Sequence, residues 1–407
     1  MADSKVQASV LHGAKDLRVE DRDLPAPSAD EVQIAVEATG LCGSDLHYYS
    51  HYRNGDIIVC EPLTLGHESA GTVTAVGSAV TSLAAGDRVA LEVGLPCGSC
   101  DLCAQGRYNI CPGMKFRSSA EVGLPCGSCD LCAQGRYNIC PGMKFRSSAK
   151  ANPHAQGTLQ ERVNHPAKWV HKLPDAVSLE LGALVEPLSV AMHARNRANL
   201  PSGSTVLVLG AGAVGLLVAA VSKAAGQTVV IADIQSDRVD FATANGYADA
   251  GIVVPPKRPQ AIEEKLAYAK EVADLVKQAQ VQGKAVGEVT ATYECTGVET
   301  CMQTAIYATR PGGRVMIIGM GTPIQTLPIS AAALREVDLV GVFRYANCYP
   351  KAIDLIASNP PGLPSLQKLV THRYQGLANI ADAFGMAARV KDDEGNLVLK
   401  VMVDLTA

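Results

Sequence analysis

The feature that most constrains the fold is a glycine-rich turn between an apolar strand and an apolar helix. The stretch 205–209 (TVLVL) reads as a buried strand, and the motif GAGAVG at 210–215 leads from it into a helical run. The next apolar segment ends at Asp233, roughly twenty residues on, the spacing of a dinucleotide fingerprint. Glycines allow a tight turn and a close approach of the backbone to a pyrophosphate at the helix N-terminus. We therefore predict a dinucleotide site on a doubly wound parallel sheet.

The carboxylate of Asp233 indicates which dinucleotide is bound. It can accept hydrogen bonds from the ribose hydroxyls and would repel a 2′-phosphate, so NAD is favoured over NADP. Arg238 follows and is predicted to pack on the adenine, the alternative being a solvated arginine at a helix start. The predicted contacts from this motif are Gly210, Gly212, Gly215, Asp233 and Arg238. The alternative interpretation is that the glycines only ease the packing of helix on strand.

The pattern of apolar and polar residues changes along the chain. The first 90 residues favour short strands, as in EVQIAVEATG, where Val32, Ile34 and Val36 alternate with polar positions. From about Ser178, helical stretches alternate with apolar strands, the pattern of a parallel sheet covered by helices. We predict a β-rich part followed by an α/β part.

Charge and hydropathy exclude several classes of partner. The net charge is −4 and no basic stretch accumulates, which argues against nucleic-acid and membrane-surface binding. The apolar runs are short and interrupted by glycine, so no transmembrane helix is predicted. The start MADSKVQASV lacks the features of a signal peptide, and we expect a cytoplasmic protein. In a reducing compartment, clustered cysteines favour metal binding over disulfides.

Four residues form a candidate catalytic metal constellation. Cys42 lies in GLCGSDLHYY, His67 and Glu68 in LGHESAG, and Glu186 in LVEPLSV. A thiolate, an imidazole and a carboxylate that leave one position open are typical of catalytic zinc, because a substrate oxygen needs that position. The spacing alone leaves other interpretations open: Cys42 as a small core residue, and His67 with Glu68 as part of a turn.

A 29-residue segment occurs twice without a single change, at 92–120 and at 121–149. Each copy has the spacing C-x2-C-x2-C-x7-C, which suits one closed tetrahedral, structural zinc whose binding is coupled to folding. The predicted ligands are Cys97, Cys100, Cys103 and Cys111 in the first copy, and Cys126, Cys129, Cys132 and Cys140 in the second. A disulfide or an empty thiol cluster is the alternative.

Several stretches together resemble one family. CGSDLHYY, LGHESAGTVTAVG, ALVEPLSVAMHA, YECTGVE, REVDLVGVFRY and LVTHRY are similar to the zinc-containing medium-chain dehydrogenases, in particular their sorbitol/polyol branch. The resemblance implies a GroES-like β-rich catalytic domain over 1–187, a Rossmann NAD-binding domain over 188–340, and a return to the catalytic domain over 341–407. A second copy of the cysteine segment is not part of the family pattern.

The resemblance also implies roles for single residues. Cys42, His67 and Glu68 would ligate the catalytic zinc, with Glu186 next to it. Ser44 and His47 would relay the alcohol proton. The remaining implied contacts are Tyr48, Glu186, Arg344 and Tyr345 to the polyol, and Val214, Gly319 and Phe343 to the cofactor. Half-buried structural tyrosines and a helix-capping His47 are the alternatives.

The expected activity is NAD-dependent oxidation of a secondary hydroxyl of sorbitol, xylitol or a similar sugar alcohol to the ketose. A zinc alcohol, threonine or butanediol dehydrogenase of the same family is one alternative. A different class is a nucleic-acid-binding module built on the cysteine segments, which have few basic residues. Relatives implied by the resemblance are commonly tetramers, so a homo-oligomer is expected.

Overall fold

The chain folds into two compact units. The computed structural model describes residues 4–95, 144–149 and 153–406. One unit comprises Met1–Ser189, Tyr345–Ser358 and Gln367–Ala407, and the other comprises Val190–Arg344 and Asn359–Leu366. The sequence prediction assigned all of 341–407 to the first unit, but the structure groups 341–344 and 359–366 with the second. Within the second unit, the Tyr247 hydroxyl donates to the Ser365 carbonyl at 2.8 Å.

The first unit is built mainly from strands. Its helices up to residue 198 are α1 (Gly43–His51), α2 (Leu179–Ala183) and α3 (Val185–Ala198), the last of which continues into the second unit. Its strands in this part of the chain are β1 (Ser4–Gly13), β2 (Asp16–Leu24), β3 (Glu31–Gly40), β4 (Arg53–Asn54), β5 (Ile57–Ile58), β6 (Leu63–Thr64), β7 (Glu68–Val76), β8 (Arg88–Leu91), β9 (Gly94–Leu95), β10 (Lys144–Phe145), β11 (Arg162–Pro166) and β12 (Val170–Lys172).

The second unit is an α/β sheet. Its strands are β13 (Thr205–Leu209), β14 (Thr228–Asp233), β15 (Ala250–Val253), β16 (Gln280–Val281), β17 (Lys284–Ala285), β18 (Val289–Glu294), β19 (Thr309–Ile317) and β20 (Asp338–Gly341). Its helices are α4 (Ala213–Ala224), α5 (Ser236–Ala244), α6 (Ile262–Gln278), α7 (Glu299–Ala308) and α8 (Ile329–Ala333). The order β15-β14-β13-β18-β19-β20 is parallel throughout, which confirms the predicted doubly wound sheet.

The chain then returns to the first unit through α9 (Tyr349–Ser358), β21 (Val370–Gln375), α10 (Ile380–Ala387) and β22 (Lys400–Asp404). The sheet there runs β12-β8-β7-β3-β22-β21, and β11 also pairs with β3. Because β3 separates β7 from β22, Gly40 pairs with Glu68 on one side and with Met402 on the other. Residues remote in sequence therefore meet at the end of β3.

Apolar side chains explain why these elements pack. Val32 and Ile34 on β3 are fully buried, and so are Val206 and Val208 on β13. At roughly 25 cal/mol per Å² of apolar surface removed from water, such strands supply most of the driving force for folding. Within the described ranges, no helix combines the length and the apolar character that a bilayer crossing requires.

Candidate active site

Three predicted metal ligands come together in the first unit. Cys42 precedes α1 as its N-cap residue, Glu68 is the first residue of β7, and His67 comes directly before it. Their ligand atoms all lie within 4.8 Å of one another, and among the residues that the structure describes they form the group suited to a metal ion. A Cβ on Gly40 would lie 2.3 Å from Glu68 Oε2, so glycine leaves room for this carboxylate. The mixed sulfur, nitrogen and oxygen donor set fits zinc.

Asp45 orients His67, and the sequence did not predict this contact. His67 Nδ1 lies 3.2 Å from Asp45 Oδ1, so the protonated Nδ1 donates to the carboxylate and Nε2 is left for a metal. Burial alone would lower the pKa of His67, but the negative charges of Asp45 and Cys42 raise it well above its ordinary value. Asp45 also accepts from the Cys42 amide, so one carboxylate contacts two of the predicted ligands. Its position three residues after Cys42, as in a capping box, is the signal that could have found it.

Lys400 binds the Glu68 carboxylate, a second contact that the sequence did not predict. Its Nζ donates to both Glu68 oxygens, at 2.8 and 2.7 Å, and to the Leu41 carbonyl at 3.1 Å. Burial lowers the pKa of Lys400, but the charges of Glu68, Cys42 and Glu186 raise it above the ordinary value. The pair is buried, with 4% and 2% of the two side chains exposed. The local sequence around Lys400 gives no signal, because the pair depends on β22 and β7 flanking β3.

The other predicted catalytic and substrate residues of the first unit occupy different environments. Glu186 is buried in the first turn of α3 and acts electrostatically on Lys400. Ser44 is half-buried and His47 exposed, both on α1. Tyr48 is buried, with its hydroxyl 3.5 Å from Ser148 Oγ and 3.4 Å from the Ala149 amide.

Tyr345 and Arg344 fall on either side of the boundary between the units. Tyr345 is only 2% exposed and packs against Tyr349, with ring centroids 5.3 Å apart. Burial, together with the nearby Tyr349, Glu186 and Glu92, raises its pKa well above the ordinary value. Arg344 has a left-handed φ of 51° and lies over the Phe343 ring at 4.8 Å.

The two ends of the duplicated segment meet in the first unit. The start of the first copy, Gly94–Leu95, pairs with Lys144–Phe145 near the end of the second copy. Arg146 is buried and donates to His165 Nδ1 at 3.1 Å and to the carbonyls of Gln156 and Asn164. The eight predicted zinc-binding cysteines lie outside the described residues, so structural zinc stays a prediction.

Because His165 is buried in its neutral form, we expect the stability of the folded protein to fall in acid. Its Nδ1 accepts from Arg146 and its Nε2 lies 3.1 Å from the Glu92 carbonyl, which suits the neutral ring. Burial, with the charge of Arg146, lowers its pKa well below 6.5. The unfolded imidazole takes up a proton below about pH 6.5 and the folded one does not, so this contribution is complete above that pH and lost as the pH falls.

We expect the unfolding midpoint to drop between pH 7.5 and 5.5, and to drop less in His165→Gln, whose amide keeps a donor and an acceptor. Thermal unfolding at the two pH values checks this. His51→Gln, at an exposed position on α1, is the matched control and should retain the parent pH dependence. An equal drop in all three proteins would contradict the assignment.

The second unit contains the predicted cofactor turn. Gly210 has a φ of +97°, and a Cβ on Gly215 would lie 1.9 Å from the Gly210 carbonyl oxygen, so both positions require glycine. Gly212 is the N-cap of α4, and Val214 lies in its first turn. The only atom within 4 Å of a Cβ on Gly212, among the described residues, belongs to Arg238. Open space at a helix N-terminus fits a pyrophosphate.

Asp233 ends β14 beside this turn. Its Oδ2 accepts from the Ala211 amide at 2.7 Å and its Oδ1 from the Gln235 amide at 2.9 Å, so the carboxylate is fixed at the strand end. Gly319 lies on a neighbouring loop, where a Cβ would be 2.0 Å from the Gly297 nitrogen. These close approaches account for the glycines, and cofactor contact by Gly319 and Phe343 stays a prediction.

Removing the charge of Asp233 is expected to relax the choice of cofactor. In Asp233→Ser we expect the ratio of kcat/KM with NAD to that with NADP to fall about 10- to 100-fold, because one unfavourable charge contact with a 2′-phosphate disappears. Steady-state kinetics with both cofactors measures the ratio. Asp240→Ser, at an exposed position on α5, serves as the control. An unchanged ratio in Asp233→Ser would remove this residue from cofactor selection.

Comparison with known proteins agrees with both units. The family described as "Alcohol dehydrogenase GroES-like domain" matches residues 28–124, and "Zinc-binding dehydrogenase" matches residues 213–358. Sorbitol dehydrogenase of Gallus gallus is 39% identical over 94% of this chain and 93% of the relative, and that of Bos taurus is 38% identical over 97% and 94%. The structure of 2R,3R-butanediol dehydrogenase from Bacillus subtilis is similar with a TM-score of 0.73 and 26% identity, over 98% of this chain and 100% of that one.

Proposed function

The chain belongs to the zinc-containing medium-chain dehydrogenases, in their sorbitol/polyol branch, and we propose that it oxidises a secondary hydroxyl of a sugar alcohol to the ketose with NAD. The observation that carries the proposal is the convergence of Cys42, His67 and Glu68 within 4.8 Å, in a chain whose second unit has the dinucleotide turn. The 39% identity to a sorbitol dehydrogenase supports a polyol over a butanediol, for which the identity is 26%.

Oxidation of a secondary alcohol removes one proton and one hydride and leaves a ketone. When bound, zinc supplies a Lewis acid that lowers the pKa of the substrate hydroxyl, and NAD supplies the hydride acceptor. Cys42, His67 and Glu68 would hold the metal. Asp45 keeps Nε2 of His67 available by accepting from Nδ1, and Lys400 fixes the Glu68 carboxylate.

Other residues would handle the substrate and its proton. We propose that Glu186, buried near Lys400, contacts the reacting hydroxyl. Ser44 and the exposed His47 on α1 would pass the proton outward. Tyr48, Arg344 and Tyr345 remain proposed contacts to the other polyol hydroxyls.

Further properties are proposed from the sequence alone. Each cysteine-rich copy would bind one structural zinc, and the protein would be a cytoplasmic homo-oligomer without nucleic-acid or membrane partners. Zinc analysis of the full chain and of a chain shortened by Glu121–Ala149 tests the first point. About three zincs per full chain and two per shortened chain are expected.

The activity is tested by following NADH absorbance with a panel of substrates. Sorbitol, xylitol and related polyols are expected to be turned over, and 2,3-butanediol, threonine and ethanol to be poor substrates. Preferred turnover of butanediol or threonine would support the alternative within the family. Absence of turnover with every polyol, in protein that retains zinc, would refute the proposal.

A further inference from the structure

We propose that Ser147 is a positioning residue for the catalytic metal ligand His67, and that the second copy of the duplicated segment is the one that supplies it. The inference rests on the proposed function, since it assigns a role toward the metal held by Cys42, His67 and Glu68. Its counterpart at the same place in the first copy is Ser118, which lies outside the described residues.

Ser147 contacts Asp45, the residue that binds His67. Ser147 Oγ donates to Asp45 Oδ1 at 2.6 Å, and the Gly66 amide and His67 Nδ1 lie 3.2 Å from the same oxygen. Asp45 is completely buried, so no water replaces a lost donor without rearrangement. Outer partners of a metal-binding histidine fix its tautomer and ring orientation. Ser147 therefore acts on the metal through Asp45.

The backbone of Ser147 is strained. Its φ is 60°, in the left-handed region that residues other than glycine rarely adopt. The Ser147 amide donates to the Ala155 carbonyl at 3.0 Å, and Ser148 forms a bridge with the same residue. A strained conformation persists only where its surroundings fix it, and here the strained backbone aims the hydroxyl at Asp45.

Strand pairing assigns the serine near Asp45 to the second copy. Lys144–Phe145 pairs with Gly94–Leu95, and the Arg146 amide donates to the Val93 carbonyl at 3.3 Å. The buried Arg146 side chain then binds His165 and the Asn164 carbonyl. The paired strands therefore come from the start of the first copy and from near the end of the second copy. Identical sequence in the two copies leaves this choice to the tertiary structure.

The test compares Ser147→Ala, Ser147→Gly and Ser118→Ala in the full chain. Ser147 and Ser118 lie in the same sequence, FRSSA, so a different effect of the two substitutions cannot come from their sequence neighbours. Zinc affinity is measured by competition with a chromophoric chelator, without NAD or polyol. The difference in zinc content between the parent protein and Cys42→Ser identifies the zinc bound at the catalytic site. Loss of an outer partner typically weakens metal binding 10- to 100-fold, and we expect a weakening of about 10-fold in both Ser147 variants.

Each outcome decides the proposal. Weaker zinc binding in both Ser147 variants, with Ser118→Ala like the parent, supports it. Parent-like binding in the Ser147 variants, or a loss in Ser118→Ala instead, overturns it. Parent-like binding in Ser147→Gly alone also overturns it, because glycine relieves the left-handed strain and a purely structural role would tolerate it. Polyol turnover by the parent is measured in parallel, so failure of the proposed function is seen separately from failure of this inference.

Discussion

Cys42→Ser is expected to lower kcat/KM for the preferred polyol by about 10³-fold or more. Cys42 is one of three proposed metal ligands whose ligand atoms lie within 4.8 Å of one another, and serine offers a neutral hydroxyl in place of its thiolate. Lewis-acid stabilisation by a bound metal contributes several kcal/mol to a transition state, and each 1.36 kcal/mol is a factor of about ten. Steady-state kinetics with NAD measures the loss. Metal analysis should show about one zinc fewer per chain.

Cys60→Ser is the matched control, because Cys60 is an exposed thiol of the same unit, outside the proposed group of metal ligands. It should keep parent activity and parent zinc content. Retention of more than about a tenth of the activity in Cys42→Ser, far above the expected loss, would remove Cys42 from the catalytic centre.

Lys400→Met is expected to destabilise the metal-free protein by about 3–5 kcal/mol, the usual cost of removing one partner of a buried ion pair. The Glu68 carboxylate would lose a donor that lies 2.7–2.8 Å from its oxygens in a site with almost no exposure. A bound zinc would compensate the same negative charge, so the loss should be smaller in zinc-loaded protein. Urea unfolding of both forms gives the two free energies.

Lys172→Met is the control for this experiment. Its ion pair with Asp87 has a comparable distance, 2.6 Å, but the lysine side chain is 64% exposed. Exposed pairs contribute about 1 kcal/mol or less, so this variant should change little in either form. Equal destabilisation of the metal-free and zinc-loaded forms of Lys400→Met would show that Lys400 stabilises the sheet without acting on the metal ligand.

Several features were predictable because their signals are local in sequence. The turn at 210–215, the strand before it and the helix after it are neighbours in the chain, and the structure confirms the parallel sheet. Cys42, His67 and Glu68 were recognisable from residue type and family resemblance, and the structure brings them together.

The partners of those ligands were not predictable in the same way. Asp45 had a weak local signal as the third residue of α1, but Lys400 had none, because it reaches Glu68 only through two neighbours of β3. Ser147 and Ser118 both lie in the sequence FRSSA, so local sequence could not distinguish them.

The sequence by itself thus determined the class of cofactor, the donor atoms of the candidate metal centre and the two kinds of sheet. Turn motifs and apolar periodicity extend over only a few residues, so they can be recognised within one short segment of sequence. The tertiary structure alone decided that Lys400 neutralises Glu68, and that the end of the second copy reaches Asp45. Both contacts depend on strand pairing between remote segments, and the free energy of such pairing is set by the assembled sheet and its buried charges.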